Sequence, residues 1–266
     1  YKAERINDLG DWGTQFGKVI VAYKRWGEED SLYPKGSIRH LLELYVRFHK
    51  EAEENPSLDD EARLWFKKLE DGDQEAYKLW AQFRQTSLES LKEVYELMGV
   101  TFDHYTGESF YNDLIPSAVL KLQPFIEVSE GAEIVPLGDD MPPFLVRKSD
   151  GATLYGTRDL TAAIYRYETF NFTKALYVVG GEQALHFKQV FAVLKKLGYD
   201  WAENCEHVPF GLMRFGDMKL STRQGNVIFL EDVLDKSIEL TKAIIEEKNP
   251  TLEDKEEVAR VVGVGA

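Results

Sequence analysis

Ala175-Leu176-Tyr177-Val178-Val179 is an unbroken apolar run that ends in Gly180-Gly181, and the residues that follow decide the fold. A five-residue run of this kind reads as a continuous apolar strand. Phe187, Val190, Phe191, Leu194 and Leu197 then recur at spacings of three and four, one face of a helix that closes at Gly198. Val208-Pro209-Phe210-Gly211-Leu212-Met213 reads as a second strand. Strand, helix, strand at this length predicts a right-handed crossover between two parallel strands. Sheets of this kind bind ligands beyond the carboxyl ends of their strands. That rule places the candidate site at Gly180 to Gln183 and around Met213.

Working outward, residues 38–98 are helical by pattern. Leu41, Leu44, Tyr45 and Phe48 form one stripe, and Leu88, Leu91, Tyr95 and Met98 a second. Ser57 with Asp60 reads as a capping box, and Gly99 stands where a helix end takes a left-handed residue. From about residue 101 the pattern mixes strand and loop. Asp150-Gly151, between Phe144-Leu145-Val146-Arg147 and Ala152-Thr153-Leu154-Tyr155, reads as a hairpin turn. Tyr1 to Ile6 reads as a short strand, and 231–247 as an amphipathic helix with Val233, Leu234, Ile238 and Ile245 near one face. The chain lacks an initiator Met, and we expect it to be a piece of something longer.

At 266 residues the length suits one large domain or two smaller ones. With 32 basic and 46 acidic side chains, the formal charge of −14 argues against a protein held on DNA or an anionic membrane by bulk charge. A local basic groove is still compatible with it. The single Cys205 excludes a disulfide framework and a cysteine-cluster zinc site. No apolar run approaches the roughly 20 residues that span a bilayer, so a reducing cytoplasm is the expected location.

Several familiar sites are missing. No G-x-G-x-x-G follows a strand, and Gly13 to Gly17-Lys18 is one residue short of a Walker loop and lacks its Ser or Thr. The five histidines form no H-E-x-x-H pair, and there is no G-x-S-x-G elbow. Metal hydrolysis and triad chemistry are therefore set aside, and no metal site is expected.

Four segments carry other chemistry. Lys219-Leu220-Ser221-Thr222-Arg223-Gln224-Gly225 packs two cations and two hydroxyls into a loop after a parallel strand, as wrapping a polyphosphate requires. Its plainer reading is a solvated basic turn. Tyr155-Gly156-Thr157-Arg158-Asp159 opens a helix, where an acid is commonly a surface complement to the helix dipole. Gly181-Glu182-Gln183-Ala184-Leu185-His186 opens the crossover helix, and Gln183 and His186 share a face. Asp11-Trp12-Gly13-Thr14-Gln15 reads equally well as a tight turn packed into a core.

Taken together and in this order, the segments resemble the arginyl-tRNA synthetases, a class I aminoacyl-tRNA synthetase family. Gly10 to Gly17 is similar to that family's Gly-Asp-Trp-Gly-Thr-Gln-Phe-Gly. Tyr155 to Asp159 resembles its Tyr-x-Thr-Arg-Asp, Tyr177 to Lys188 its Tyr-Val-Val-Gly-x-Glu-Gln-x-x-His-Phe-x, and Lys219 to Gly225 its class I phosphate loop. Leu220 stands where the family has Met, and Gln224 where it has a second Lys.

The resemblance implies an α/β fold, a class I nucleotide-binding, Rossmann-like parallel sheet with a largely helical insertion. Its implied divisions are 1–26 as the first part of the catalytic domain, 27–145 as the insertion and 146–230 as the second catalytic part. A connecting helix over 231–252 and the start of an anticodon-binding helical domain over 253–266 complete them. It implies a ligase that forms arginyl-adenylate from arginine and ATP, with Mg2+ accompanying ATP, and passes arginine to tRNA. Tyr155, Asp159 and Gln183 match arginine-binding positions. His186, Gly211, Met213 and Lys219 match the ATP side, and Lys219, Ser221 and Arg223 the catalytic phosphate loop. The family's two-histidine signature is not among these residues, so the 266 residues alone are expected to be inactive. Two rival readings are another class I-type adenylate-forming nucleotidyltransferase and a synthetase-like module that binds tRNA or protein without catalysis.

Overall fold

The computed structural model describes residues 2–28, 32, 35–149, 155–211 and 227–265. They form two compact units, one drawn from residues 1–105 and 216–266 and the other from 106–215. Met213, Lys219, Ser221, Arg223 and the second arm of the expected hairpin, 152–154, lie outside the described residues.

The first unit is helical. After a short strand β1 (Ile6–Asn7) come α1 (Thr14–Trp26), α2 (Ile38–Glu54), α3 (Ser57–Glu70) and the long α4 (Gln74–Met98). A second short strand, β2 (His104–Tyr105), pairs parallel with β1. The opening strand starts later than its sequence suggests, because its partner is only two residues long. The Arg5 carbonyl instead accepts from the Asp103 and His104 amides (2.8 and 3.1 Å). The unit closes with α8 (Leu230–Lys248) and α9 (Lys255–Gly265), which pack on each other.

The core between the first four helices follows the expected stripe on α2, where Leu41, Leu44 and Phe48 are buried. On α4 the stripe is elsewhere. Ala76, Trp80 and Phe83 in its first half are buried, whereas Met98 is exposed. The four apolar residues at the end of α4 form a helical face, but only Leu88 of them is buried. Capping also departs from expectation. Ser57 is the first residue of α3, and its amide and hydroxyl both donate to Asn55 Oδ1 (3.3 and 2.7 Å). The reciprocal box belongs to α2, where the Ser37 amide donates to His40 Nδ1 (3.2 Å). Gly99 ends α4 at φ 65°, as its position requires.

Gly17 sets the contact of α1 with α3. A Cβ there would lie 2.0 Å from the Ala62 carbonyl oxygen and 3.1 Å from Phe66 Cβ. In an open helix Ala would be favoured over Gly by about 1 kcal/mol. We expect Gly17→Ala to destabilise the unit by about 2–3 kcal/mol instead, because the helices must part to admit the methyl group. Thermal unfolding checks this, and a melting temperature equal to or above the parent's contradicts the close approach.

The second unit carries the crossover. Helix α5 (Ile115–Leu122) leads to an antiparallel sheet of β3 (Glu127–Ser129), β4 (Ala132–Val135) and β5 (Phe144–Arg147). Among the described residues, β4 is the strand paired with Phe144–Arg147. Tyr155 is not strand but the first residue of α6 (Tyr155–Phe170). Then follow β6 (Ala175–Gly180), α7 (Ala184–Lys196) and β7 (Cys205–Phe210). Strands β6 and β7 pair parallel from Ala175↔Cys205 to Gly180↔Phe210, which bears out the expected crossover. The second strand begins three residues early because Cys205 and Glu206 already pair with Ala175 and Leu176. Its last residue is Phe210, paired with Gly180, and Leu212 and Met213 of the expected strand lie outside the described residues. Leu122, Val135, Val146, Leu160, Val190, Val193 and Leu194 fill the core between these layers.

Candidate functional site

The path of the chain brings two distant motifs together. Helix α6 runs 16 residues, about 24 Å, and β6 then runs six residues, about 20 Å, back along it. The start of α6 therefore returns to the carboxyl end of β6, where α7 begins. This is the edge at which parallel sheets bind ligands. Tyr155 and Asp159 lie in the opening turns of α6, and Gln183 caps α7, with His186 in its first turn.

Asp159 and His186 meet directly. His186 Nε2 lies 2.5 Å from Asp159 Oδ2. An ionised carboxylate can only accept, so Nε2 carries the proton and Nε2–H donates. The His186 side chain is 9% exposed and that of Asp159 28%, so the carboxylate faces outward from a buried base. The exposed Tyr155 ring leans on the His186 ring at 4.7 Å and 46°. Phe187 and His207 stack just behind, at 4.9 Å and 24°, and His207 Nε2 contacts the Val179 carbonyl oxygen (3.0 Å).

Several residues hold this geometry. Thr157 Oγ1 donates to the Val146 carbonyl (2.9 Å), which ties the first turn of α6 to β5. Gly156 lets Phe144 approach, since a Cβ there would stand 3.0 Å from that ring and 3.7 Å from His186 Cε1. Gln189 Nε2 donates to the Pro142 and Pro143 carbonyls (2.9 and 3.1 Å), which ties α7 to the residues leading into the same strand. None of these supports was read from the sequence. The buried Thr157 and Thr161, four apart on one helix face, were the signal available.

The structure thus places Tyr155, Asp159 and His186 together, with Gln183 exposed at the start of the same helix as His186. Gly211 follows β7 and is exposed. Burial pushes the Cys205 thiol up to about 11, so it supplies no thiolate near neutral pH. Among the described residues no group of three or more His, Cys, Asp or Glu side chains is placed to hold a metal ion.

The Gly-Asp-Trp-Gly motif sits in the first unit as a packed turn. Trp12 meets Phe66 and Trp80 edge-on, each at 5.7 Å. The Asp11 carboxylate is buried and accepts from Arg84 Nε (2.6 Å), and its carbonyl accepts from Trp80 Nε1 (2.7 Å).

Residues 1–266 match the family model described as tRNA synthetases class I (R), catalytic domain. The chain is 56% identical over 269 residues to an arginine–tRNA ligase of Clostridium perfringens, covering all of this chain and 47% of that protein. It is 58% identical over 269 residues to an arginine–tRNA ligase of Ligilactobacillus salivarius, covering all of this chain and 48% of that protein. The chain spans about half the length of the curated relatives it matches. Among solved structures, the arginyl-tRNA synthetase of Plasmodium falciparum superposes with a TM-score of 0.79 at 22% identity, over 98% of this chain and 43% of that one. The Thermus thermophilus arginyl-tRNA synthetase superposes with a TM-score of 0.79 at 21% identity, over 99% of this chain and 50% of that one. At such identities the structural likeness is one of fold. With a family model matched over every residue and relatives at 56–58% identity, the chain belongs to the catalytic-domain family of the arginine-specific class I tRNA synthetases.

Proposed function

We propose that the protein carrying this chain is an arginine–tRNA ligase that uses MgATP and acts in the cytoplasm. Two steps are assigned. The arginine carboxylate attacks the α-phosphorus of ATP, pyrophosphate leaves, and arginyl-adenylate forms. A hydroxyl at the 3′ end of tRNA then attacks the activated carbonyl, and AMP leaves.

One observation carries the substrate assignment: an outward-facing carboxylate, Asp159, on a buried base at the ligand-binding edge, with the Tyr155 ring beside it. A guanidinium is a planar cation with five donors and no acceptor. A fixed carboxylate with a neighbouring phenol is the complement of such a group. Gln183 is assigned to the amino-acid end of arginine. His186, Gly211 and Met213 are assigned to the adenosine side, as their matched positions imply. Lys219, Ser221 and Arg223 are assigned to the phosphates, where cations offset charge that builds as the α-phosphate is attacked.

ATP–pyrophosphate exchange by the full-length protein, with and without tRNA, tests this reading. Citrulline is the informative competitor, since it keeps the shape of arginine and replaces the guanidinium by a neutral urea. A site that reads charge and all five donors should prefer arginine by at least ~100-fold, because the wrong ligand leaves the carboxylate without its cation. Equal exchange with citrulline, lysine or another carboxylic acid would move the protein to a different adenylate-forming class.

A further inference from the structure

We infer that His186 is a positioning residue for arginine recognition, holding the Asp159 carboxylate in the orientation that reads the guanidinium. The inference deepens the arginine reading above and rests on it. The resemblance alone places His186 on the adenine side. The geometry points to a second task.

A carboxylate on a helix turns about its terminal bond over a broad range, because that torsion has shallow wells. Asp159 is 28% exposed on its side chain, which leaves room for such turning. Nε2–H of His186 removes that freedom by binding Oδ2 at 2.5 Å. The imidazole cannot follow the carboxylate outward. It is 9% exposed, lies between the Tyr155 ring at 4.7 Å and the Phe187 ring at 5.1 Å, and has the glycine at 156 beneath its Cε1.

Oδ2 keeps further lone-pair capacity when it accepts from His186, and Oδ1 is not used by that bond. Both oxygens can therefore still receive the two parallel N–H groups of a guanidinium. A fork-on-fork contact needs a fixed plane more than a point cation does. The same imidazole supports the Tyr155 ring, so one buried side chain sets both walls of the guanidinium pocket. His186 does this without touching the reacting atoms.

The test is ATP–pyrophosphate exchange by the full-length protein with tRNA, varying arginine and ATP separately in His186→Phe, His186→Gln and His186→Asn. Phe keeps a ring against Tyr155 and donates nothing, Gln can place an N–H near Oδ2, and Asn is too short to reach. We expect Phe and Asn to raise the arginine KM about tenfold or more and the ATP KM by a clearly smaller factor, since the adenosine-side contact of the same ring is altered too. Gln should return the arginine KM to within about threefold of the parent. If Phe fails to fold, the Gln and Asn pair alone decides. An ATP KM that rises more than the arginine KM would assign His186 to adenine alone and overturn the inference. So would a fall in kcat with both KM values unchanged, or equal defects in Gln and Asn. A parent protein with no arginine-dependent exchange would overturn the underlying reading instead, and that failure is visible before any variant is made.

Discussion

Asp159→Ala in the full-length protein is expected to lower arginine-dependent ATP–pyrophosphate exchange at least ~100-fold and to leave ATP binding nearly intact. Removing one member of a desolvated, hydrogen-bonded ion pair costs about 3–5 kcal/mol. The Asp159 carboxylate is partly exposed before substrate arrives, so solvent screening moves the estimate toward the lower end. About 2.7 kcal/mol corresponds to a hundredfold. The loss should fall on arginine, since the carboxylate has no formal role toward ATP in this assignment. Asp159→Asn separates charge from shape. It keeps an oxygen for His186 Nε2–H and loses the negative charge, so a defect close to that of the alanine variant assigns the effect to charge. Full activity in Asp159→Asn would mean that the position only braces His186. An equal loss of ATP affinity in Asp159→Ala would make Asp159 a structural residue.

The sequence made legible whatever repeats within one element. The apolar run at 175–179 and the three-and-four spacing after it fix both halves of the crossover, because each signal lies within a single strand or helix. Chain-end chemistry at Gly99 is equally local. What was not legible depends on partners far along the chain. The start of β7 at Cys205 follows from its register with Ala175, 30 residues earlier. On α4 the sequence offers two apolar faces, and the packing of α1, α2 and α3 chooses the one with Trp80 and Phe83. The Asp11–Arg84 pair is 73 residues apart in sequence and no local pattern marks it.

The candidate site divides the same way. Asp159 and His186 were each visible as members of a motif, and Asp159 alone was as well explained as a surface complement to the helix dipole. Their 2.5 Å contact arises only because α6 and β6 have matching lengths, so that a chain reversal at residues 171–174 returns the two motifs to one edge. Neither motif states that length match. It emerges from counting residues in two elements, and it gives the pair a physical reason to act together.

Lys219→Ala, the second large effect, is expected to slow adenylate formation about 100- to 1000-fold, or about 2.7–4 kcal/mol, the usual cost of deleting one charge stabiliser of a transition state. In-line attack on the α-phosphorus gathers negative charge on the phosphate oxygens as pyrophosphate departs. A cation held there acts more strongly in the transition state than in bound ATP, so the loss should appear in the rate and not in arginine affinity. The segment Lys219 to Gly225 carries Lys219 and Arg223, with Gln224 where the resembled family has a second Lys. This segment therefore has one cation fewer to share the charge, which places the expected loss toward the upper end of the range. Gln224→Lys should correspondingly soften the Lys219→Ala defect by a measurable factor if the two positions act on the same charge. Single-turnover formation of arginyl-adenylate by the full-length protein, at saturating arginine and ATP with tRNA present, reads the step directly. A Lys219→Ala rate within a few-fold of the parent would reduce the segment to a solvated basic turn and leave phosphate stabilisation to other residues.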